Sequence, residues 1–277
     1  MPLYQVIILA AIQALTEFLP ISSSAHLWFM PWAFGWKDPG LIFDISLHAG
    51  TVVAILIYFF RDWVQIIGQA LGLKTGTDEQ PRQNRALLWL LAAAAVPIGI
   101  LGYLFNKQAE TTWRNPYLIA TMLIVVGIAM WIAERRAIGT KTMGQVDWGD
   151  GLWIGIAQTL AIIPGTSRSG ATITAGLFRG LTRETAARFS FLLSTPAIAA
   201  AALKDFYDLS KHQGGIPHDM RVPFLVGIVV SGVTGLAVIH FFLGFLRRRS
   251  LNLFVAYRVV FGIIVIALAH FFRFAGG

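Results

Sequence analysis

A carboxylate, three serine hydroxyls and an imidazole fall within ten positions near the start of the chain. Glu17 lies in an apolar stretch four residues after Gln13, so the two side chains share one face of a helix. Pro20 breaks that helix, and the break is followed by Ser22, Ser23, Ser24 and His26. When the chain folds back here, these groups supply a nucleophile, a base and an orienting residue. We interpret Glu17, Ser23 and His26 as candidate catalytic residues and Gln13 as a supporting residue.

A second cluster, with the composition of a phosphate site, follows another proline. The run from Pro164 to Gly170 reads PGTSRSG and contains hydroxyls and a guanidinium but no acid. Its glycines allow backbone N–H groups to approach a ligand, and Arg168 offers a planar fork that binds phosphate oxygens in pairs. An arginine between apolar segments needs a partner, which we expect a bound anionic substrate to supply, with Glu17 nearby. We expect Arg168 to be catalytic and the other phosphate contacts to come from Ser22, Ser24, Gly165, Thr166, Ser167 and Ser169.

The elements that must position these clusters are apolar helices. Six segments are long and apolar enough to cross a bilayer as helices: 41–60, 86–105, 116–133, 185–203, 222–246 and 251–272. The stretches 3–34 and 148–178 differ, because each breaks at a proline followed by small hydroxyl residues. We predict an all-α polytopic membrane protein with six transmembrane helices and two re-entrant helical hairpins.

Composition excludes several other classes of protein. Hydrophobic residues make up 56% of the chain and charged residues 13%, against roughly 25% charged residues in soluble domains. The net charge is +8, but the basic residues lie between apolar runs rather than in a patch, so we expect no nucleic-acid partner. The absence of cysteine excludes disulfides, thiolate metal sites and cysteine nucleophiles.

The distribution of lysine and arginine predicts the orientation of the chain. If both proline-broken stretches leave the membrane on the side from which they enter, thirteen basic residues fall on one side and seven on the other. The cytoplasmic group is Arg61, Lys74, Arg82, Arg85, Arg135, Arg136, Lys141, Arg179, Arg183, Arg188, Arg247, Arg248 and Arg249. The outer group is Lys37, Lys107, Arg114, Lys204, Lys211, Arg221 and Arg273.

An internal repeat relates the two clusters. A shift of 144 residues places Pro20 on Pro164 and the serines of the first turn on the hydroxyl-rich second turn. Three spans follow each hairpin, so residues 1–140 and 141–277 form two halves of opposite orientation within one membrane domain. Such repeats bring broken helices together near the bilayer midplane, where helix N-termini form an anion site. The alternative is that proline and serine merely kink two ordinary spans.

The first motif, from Gln13 through Glu17 and Pro20 to His26, together with the second, from Pro164 to Gly170, resembles the bacterial undecaprenyl-diphosphate phosphatase family of the bacitracin-resistance type. The second signature is PGxSRSxxT, matched here through Thr172, which joins the expected phosphate contacts. The resemblance extends over essentially the whole chain. Where many members have a first acid this chain has Gln13, which shifts the carboxylate role onto Glu17.

The resemblance implies hydrolysis of undecaprenyl diphosphate to the monophosphate at the outer face of the bacterial cytoplasmic membrane, which recycles a lipid carrier for cell-wall synthesis. It also implies a divalent cation, Mg²⁺ or Ca²⁺. Glu17 is the one acid in either hairpin core and is the expected ligand, together with substrate phosphates. The expected partners are a polyisoprenyl diphosphate and membrane lipids, and a homodimer is left open.

Several alternatives stay open at the level of sequence. Ser23 is slightly favoured as the nucleophile, with Glu17 or His26 as its base, and a phosphohistidine at His26 is the alternative. His48 and Asp44 either support the site or form a buried pair, and Arg258 contacts either phosphate or backbone carbonyls. A transporter or lipid flippase would use the same anion site. Hydrolysis is favoured because a carrier needs no nucleophile or proton handling.

Overall fold

The computed structural model describes residues 1–37, 40–73, 76, 78, 84–137, 139–212 and 215–271. Over this part of the chain the protein is all-α, as predicted. Lys74, Arg82, Arg273 and the last residue of the predicted span 251–272 lie outside the described residues. The helices are α1 Leu3–Phe18, α2 Ser23–Phe34, α3 Leu41–Tyr58, α4 Phe60–Ala70, α5 Leu87–Glu110, α6 Pro116–Arg136, α7 Trp148–Gln158, α8 Arg168–Phe178, α9 Arg183–His212, α10 Arg221–Leu246 and α11 Asn252–Phe271.

Each proline-broken stretch forms a helical hairpin with its break at the predicted place. In the first hairpin α1 ends at Phe18, and α2 begins at Ser23 after a turn in which Ser22 has a φ of 76°. In the second hairpin α7 continues into a short 3₁₀ helix, Thr159–Ile162, and α8 begins after Ser167, whose φ is 67°. Positive φ is uncommon for residues other than glycine, so both turns hold a strained serine directly before a helix.

The two turns match in local geometry with an offset of one residue from the sequence alignment. Ser22 and Ser24 hydroxyls lie 3.2 Å apart, and Ser167 and Ser169 hydroxyls also lie 3.2 Å apart. Ser22 therefore corresponds to Ser167, a shift of 145 rather than 144. With this shift Pro20 corresponds to Gly165, and both carbonyls bind Arg258. The division into two inverted halves remains a prediction with which this correspondence agrees.

The predicted spans are found with one modification. Five helices, α5, α6, α9, α10 and α11, are long and apolar enough to cross a membrane. The segment predicted at 41–60 is divided, because α3 ends at Tyr58 and α4 continues after a bend of 66°. The two helices together count as a sixth candidate span within the described residues.

Glycines at the helix crossings show how the bundle is assembled. A Cβ on Gly50 of α3 would meet the Ser231 hydroxyl of α10 at 1.9 Å, and one on Gly235 would meet Ala54 at 2.8 Å. Gly50 contacts Ser231, and Ala54, four residues later, contacts Gly235, four residues after Ser231. The residue numbers therefore rise in the same direction, and α3 and α10 run parallel. In the second crossing a Cβ on Gly262 of α11 would meet Ile124 of α6 at 2.7 Å. Close approach of backbones is the usual way in which transmembrane helices pack.

Ion pairs gather at one end of the bundle, which we call the ion-pair face. Arg188 binds Asp62 and Asp78, and Asp150, whose side chain is fully buried, lies between Lys141 and Arg179. The other pairs are Arg183 with Glu134 and Arg247 with Glu184. Arg114 and the start of α10 lie at the opposite end, so described members of the two predicted groups of basic residues are separated.

Candidate active site

The turns of the two hairpins meet inside the bundle. The Gly165 N–H donates a hydrogen bond of 3.3 Å to the Ser24 hydroxyl. The Ser169 hydroxyl donates in the other direction, to the Leu19 carbonyl at 3.1 Å. Two segments that lie about 145 residues apart in sequence are therefore in direct contact, as an interior site shared by both halves requires.

Glu17 is the centre of this contact. The Ser23 hydroxyl donates to Glu17 Oε2 at 2.7 Å, and the Arg168 guanidinium donates through Nη2 to Oε1 at 3.0 Å. The Gln13 amide donates to Oε2 at 3.3 Å. The side chains of Glu17 and Arg168 are only 10% and 13% exposed. The structure therefore brings together the predicted acid, one predicted nucleophile and the predicted phosphate-binding arginine.

Arg168 uses only part of its hydrogen-bonding capacity. Its Nε and Nη1 atoms are buried and take no hydrogen-bond partner among the described residues. A guanidinium carries five N–H donors in a rigid fork, and a buried donor without a partner is costly. The arginine therefore retains donors that a phosphate group can use.

A cavity of about 460 Å³ is lined in part by Ser23. Its other lining residues include the polar residues Gln13, Ser24, Asp44 and His48, and also Trp28, Trp32, Trp36 and Arg114. Of the three residues Glu17, Ser23 and Arg168, only Ser23 lines the cavity. A mostly apolar cavity with a few polar groups is typical of a site for an amphipathic ligand.

The remaining predicted phosphate contacts have different surroundings. Thr166 has a buried hydroxyl that takes no partner within the described part of the chain. The Ser167 hydroxyl caps α8 by accepting from the Gly170 N–H at 3.1 Å. The Thr172 hydroxyl instead donates to the Arg168 carbonyl at 2.8 Å and lies 2.6 Å from the Ser190 hydroxyl of α9. Thr172 thus supports the first turn of α8.

His26 lies apart from the cavity. Its Nδ1 is 2.7 Å from the Ser22 carbonyl, which can only accept, so Nδ1 carries the proton. Its Nε2 lies 2.6 Å from the Tyr257 hydroxyl, and the ring stacks on Phe261 at 4.5 Å. Both ring nitrogens are therefore engaged by the protein, and His26 buttresses the turn that presents Ser23. Tyr257 was not anticipated from sequence, because only the folded chain brings α11 to His26.

His48 was expected either to support the site or to form a buried pair with Asp44. It lies on the cavity wall. Its Nδ1 is held by the Asp44 carbonyl at 2.8 Å, and both residues line the cavity. His48 therefore lies beside the site, as the first of the two interpretations expects.

The fit of a divalent cation to these residues is limited. No three His, Cys, Asp or Glu side chains converge anywhere in the described residues. Both carboxylate oxygens of Glu17 already accept hydrogen bonds from protein groups. A cation at Glu17 therefore depends on oxygens supplied by the substrate, a mode that Mg²⁺ commonly uses.

Comparison with known proteins gives this site a context. The family model described as bacitracin resistance protein BacA matches residues 6–264. A protein named undecaprenyl-diphosphatase from Pelotomaculum thermopropionicum is 47% identical over 269 residues, which cover 97% of each chain. A protein of the same name from Moorella thermoacetica is 45% identical over 269 residues, covering 97% of this chain and 98% of that protein. Both findings agree with the resemblance in the motifs, and this chain belongs to the bacitracin resistance protein BacA family.

Proposed function

We propose that this protein hydrolyses undecaprenyl diphosphate to undecaprenyl phosphate and inorganic phosphate, and so recycles the lipid carrier of cell-wall synthesis. The observation that carries the proposal is the carboxylate of Glu17, which binds the Ser23 hydroxyl and the Arg168 guanidinium beside a cavity. The names of relatives at 45–47% identity support the same substrate.

Ser23 is the nucleophile in this proposal. The terminal phosphate binds Arg168, which then no longer neutralises Glu17, and the carboxylate becomes a better acceptor for the Ser23 proton. The Ser23 oxygen forms a bond to the terminal phosphorus as the bridging P–O bond breaks, and undecaprenyl phosphate leaves with the electron pair of that bond. The 2.7 Å hydrogen bond between Ser23 and Glu17 supports this assignment.

Water completes the reaction by attacking the phosphoserine. The bond between phosphorus and the Ser23 oxygen breaks, the serine oxygen takes back a proton from Glu17, and inorganic phosphate leaves. Arg168 and the N–H groups at the start of α8 stabilise the charge that develops on the phosphoryl oxygens in both steps. The location of His26 outside the cavity argues against a phosphohistidine.

Glu17, together with oxygens of the diphosphate, would hold the divalent cation, Mg²⁺ or Ca²⁺. When bound, it neutralises part of the phosphate charge.

We also propose that the cavity opens toward the outer face of the bacterial cytoplasmic membrane. Trp28, Trp32 and Trp36 line it, as expected for an opening at the membrane interface. Arg114, at the same end, belongs to the smaller of the two groups of basic residues, which the positive-inside rule assigns to the outer side.

Phosphate release tests the proposal directly. The protein purified in detergent is given undecaprenyl diphosphate or farnesyl diphosphate, with and without a chelator, and inorganic phosphate is measured. Release that requires both a divalent cation and Glu17 is expected. No release from either diphosphate, with lipid movement retained in vesicles, would favour the flippase alternative.

A further inference from the structure

Among the described residues Arg258 of α11 is the largest fully buried side chain, and the hydrogen bonds that it makes to them go to backbone carbonyls. Nη1 donates to the Pro20 carbonyl of the first turn at 3.0 Å. Nη2 donates to the carbonyls of Gly165 and Thr166 in the second turn at 3.1 and 2.9 Å. One guanidinium therefore joins the two turns.

The same side chain anchors both turns to a third element. Nε donates to the Leu123 carbonyl of α6 at 3.1 Å, and Nη2 to the Met122 carbonyl at 3.2 Å. A guanidinium suits this task because its five donors point in fixed directions within one plane. Lysine has a compact ammonium with three donors and cannot cover the same set of acceptors.

Glycines make room for the guanidinium. A Cβ on Gly170, in the first turn of α8, would lie 3.1 Å from Arg258 Nη1. A Cβ on Gly127 of α6 would lie 3.4 Å from the Arg258 Cβ. The two helices that flank Arg258 thus each have a glycine where the arginine passes.

The carbonyl contacts also fix the direction of a backbone donor. In a trans peptide the N–H points opposite to the carbonyl, so the Thr166 carbonyl that faces Arg258 turns the Ser167 N–H away from it. That N–H directly precedes Arg168 at the start of α8, where N–H groups lack partners within the helix. Arg258 therefore orients part of the N-terminal anion site without touching a phosphate.

We infer that Arg258 is a positioning residue, which holds the two turns in the arrangement that lets Ser23 and Arg168 share the Glu17 carboxylate. The inference rests on the proposed phosphatase activity for its kinetic consequence, but the arrangement itself can be measured without turnover. Substitution of Arg258 removes the hydrogen bonds that join the two turns, so the hairpins can move relative to one another. This movement should disturb the alignment of the reacting groups more than the binding of the lipid.

Kinetics of Arg258→Met and Arg258→Lys test the inference, with Gly262→Ala as the matched control. Gly262 packs against α6 one turn from Arg258, so alanine there strains the same helix crossing without touching either hairpin turn. We expect kcat to fall about 100-fold in Arg258→Met and about tenfold in Arg258→Lys, since small misplacements have effects of this size. KM of both Arg258 variants should stay within about threefold of wild type. Gly262→Ala should retain the wild-type kcat even if its unfolding midpoint falls as far as that of Arg258→Met.

The second measurement is the distance between the hairpins. The chain has no cysteine, so Phe34→Cys and Leu160→Cys can be introduced and spin-labelled directly; both positions are exposed, one in each hairpin. The interspin distance distribution from electron paramagnetic resonance should be narrow in the protein that retains Arg258, broader in the Arg258→Met variant, and narrow in Gly262→Ala.

An unchanged kcat in Arg258→Met, or an equal loss of kcat in Gly262→Ala at the same unfolding midpoint, would overturn the inference. So would distance distributions that do not respond to Arg258→Met. If Arg258→Met does not fold, Arg258→Lys decides by the same two criteria. If the wild type releases no phosphate from undecaprenyl diphosphate or from farnesyl diphosphate, the proposed function fails, while the distance measurement still decides the role of Arg258.

Discussion

Ser23 and Arg168 occupy corresponding positions at the starts of α2 and α8, and they bind the two oxygens of the same carboxylate. One hairpin contributes the hydroxyl and the acid, and the other contributes the guanidinium. A phosphate held by both Ser23 and Arg168 would therefore contact both hairpins at once.

Substitution of Ser23 and His26 should separate the two candidate nucleophiles. Ser23→Ala should lower phosphate release by about 10³-fold or more, because the attacking oxygen is lost. His26→Gln should lower it by about tenfold, the effect of one or two neutral hydrogen bonds. Release is measured with farnesyl diphosphate.

The covalent intermediate gives an independent criterion. After an acid quench of the reaction with terminally labelled diphosphate, phosphoserine retains its label, whereas phosphohistidine loses it. We expect an acid-stable label that is absent in Ser23→Ala. An acid-labile label in the wild type would show that His26 is the nucleophile.

Glu17 and Arg168 should be strongly coupled in stability. Glu17→Gln leaves a buried guanidinium without its counter-ion, and Arg168→Met leaves a buried carboxylate without one, so each should cost about 3 kcal/mol. The double variant removes both charges and should be less destabilised than the two single effects added together. Unfolding in detergent measures all three proteins, and additive losses would mean that the ion pair contributes no coupling.

Gly165 should be sensitive to a single methyl group. Its φ is +91°, and a Cβ there would meet the Ile119 carbonyl at 2.3 Å. Gly165→Ala should therefore displace the second turn and lower turnover by about 100-fold. Gly180 has a similar φ of +80° but nothing within 4 Å of its Cβ. Gly180→Ala should cost about 1 kcal/mol of stability and leave turnover unchanged. Equal turnover in the two variants would contradict the importance of the Gly165 contact.

Asp150 should stabilise the base of the second hairpin. Its side chain is fully buried between Lys141 and Arg179, and its hydrogen bond raises the pKa of the Lys141 ammonium above the usual range. That contribution is present at neutral pH and is lost as the pH rises through the raised pKa. Asp150→Asn should cost about 3 kcal/mol of unfolding free energy, because two cations lose a buried partner.

Glu184→Gln is the matched control for this ion pair. Glu184 and its partner Arg247 have side chains 38% and 65% exposed. Glu184→Gln should lower the free energy of unfolding by about 0.5 kcal/mol or less, as is usual when an exposed ion pair is broken. Equal effects of the two substitutions on the unfolding midpoint would contradict the structural role of Asp150.

The sequence predicts the features of this protein that depend on local order. Span lengths follow from apolar runs, and each hairpin breaks at a proline. Glu17 and Ser23 lie six residues apart on either side of one break, so their contact follows once the chain folds back. That Glu17 lies near Arg168 could also be expected from the sequence, because a buried arginine requires an anion.

Features that depend on tertiary packing could not be predicted from the sequence. His26 is close to Glu17 in sequence, but Tyr257 and Phe261 of α11 hold its ring elsewhere. The carbonyl contacts of Arg258 come from three segments that only the folded chain assembles. The shift of 145 residues between the turns could not be predicted either, because aligning Pro20 with Pro164 gives a shift of 144.

The correspondence of Ser23 with Arg168 limits how alike the two hairpins can become. With serine at both positions the site would have two hydroxyls and no cation for the phosphate. With arginine at both, it would have two cations and nothing to attack phosphorus. Because the two matched positions have different roles, the hairpins must differ in sequence here, however closely their backbones agree.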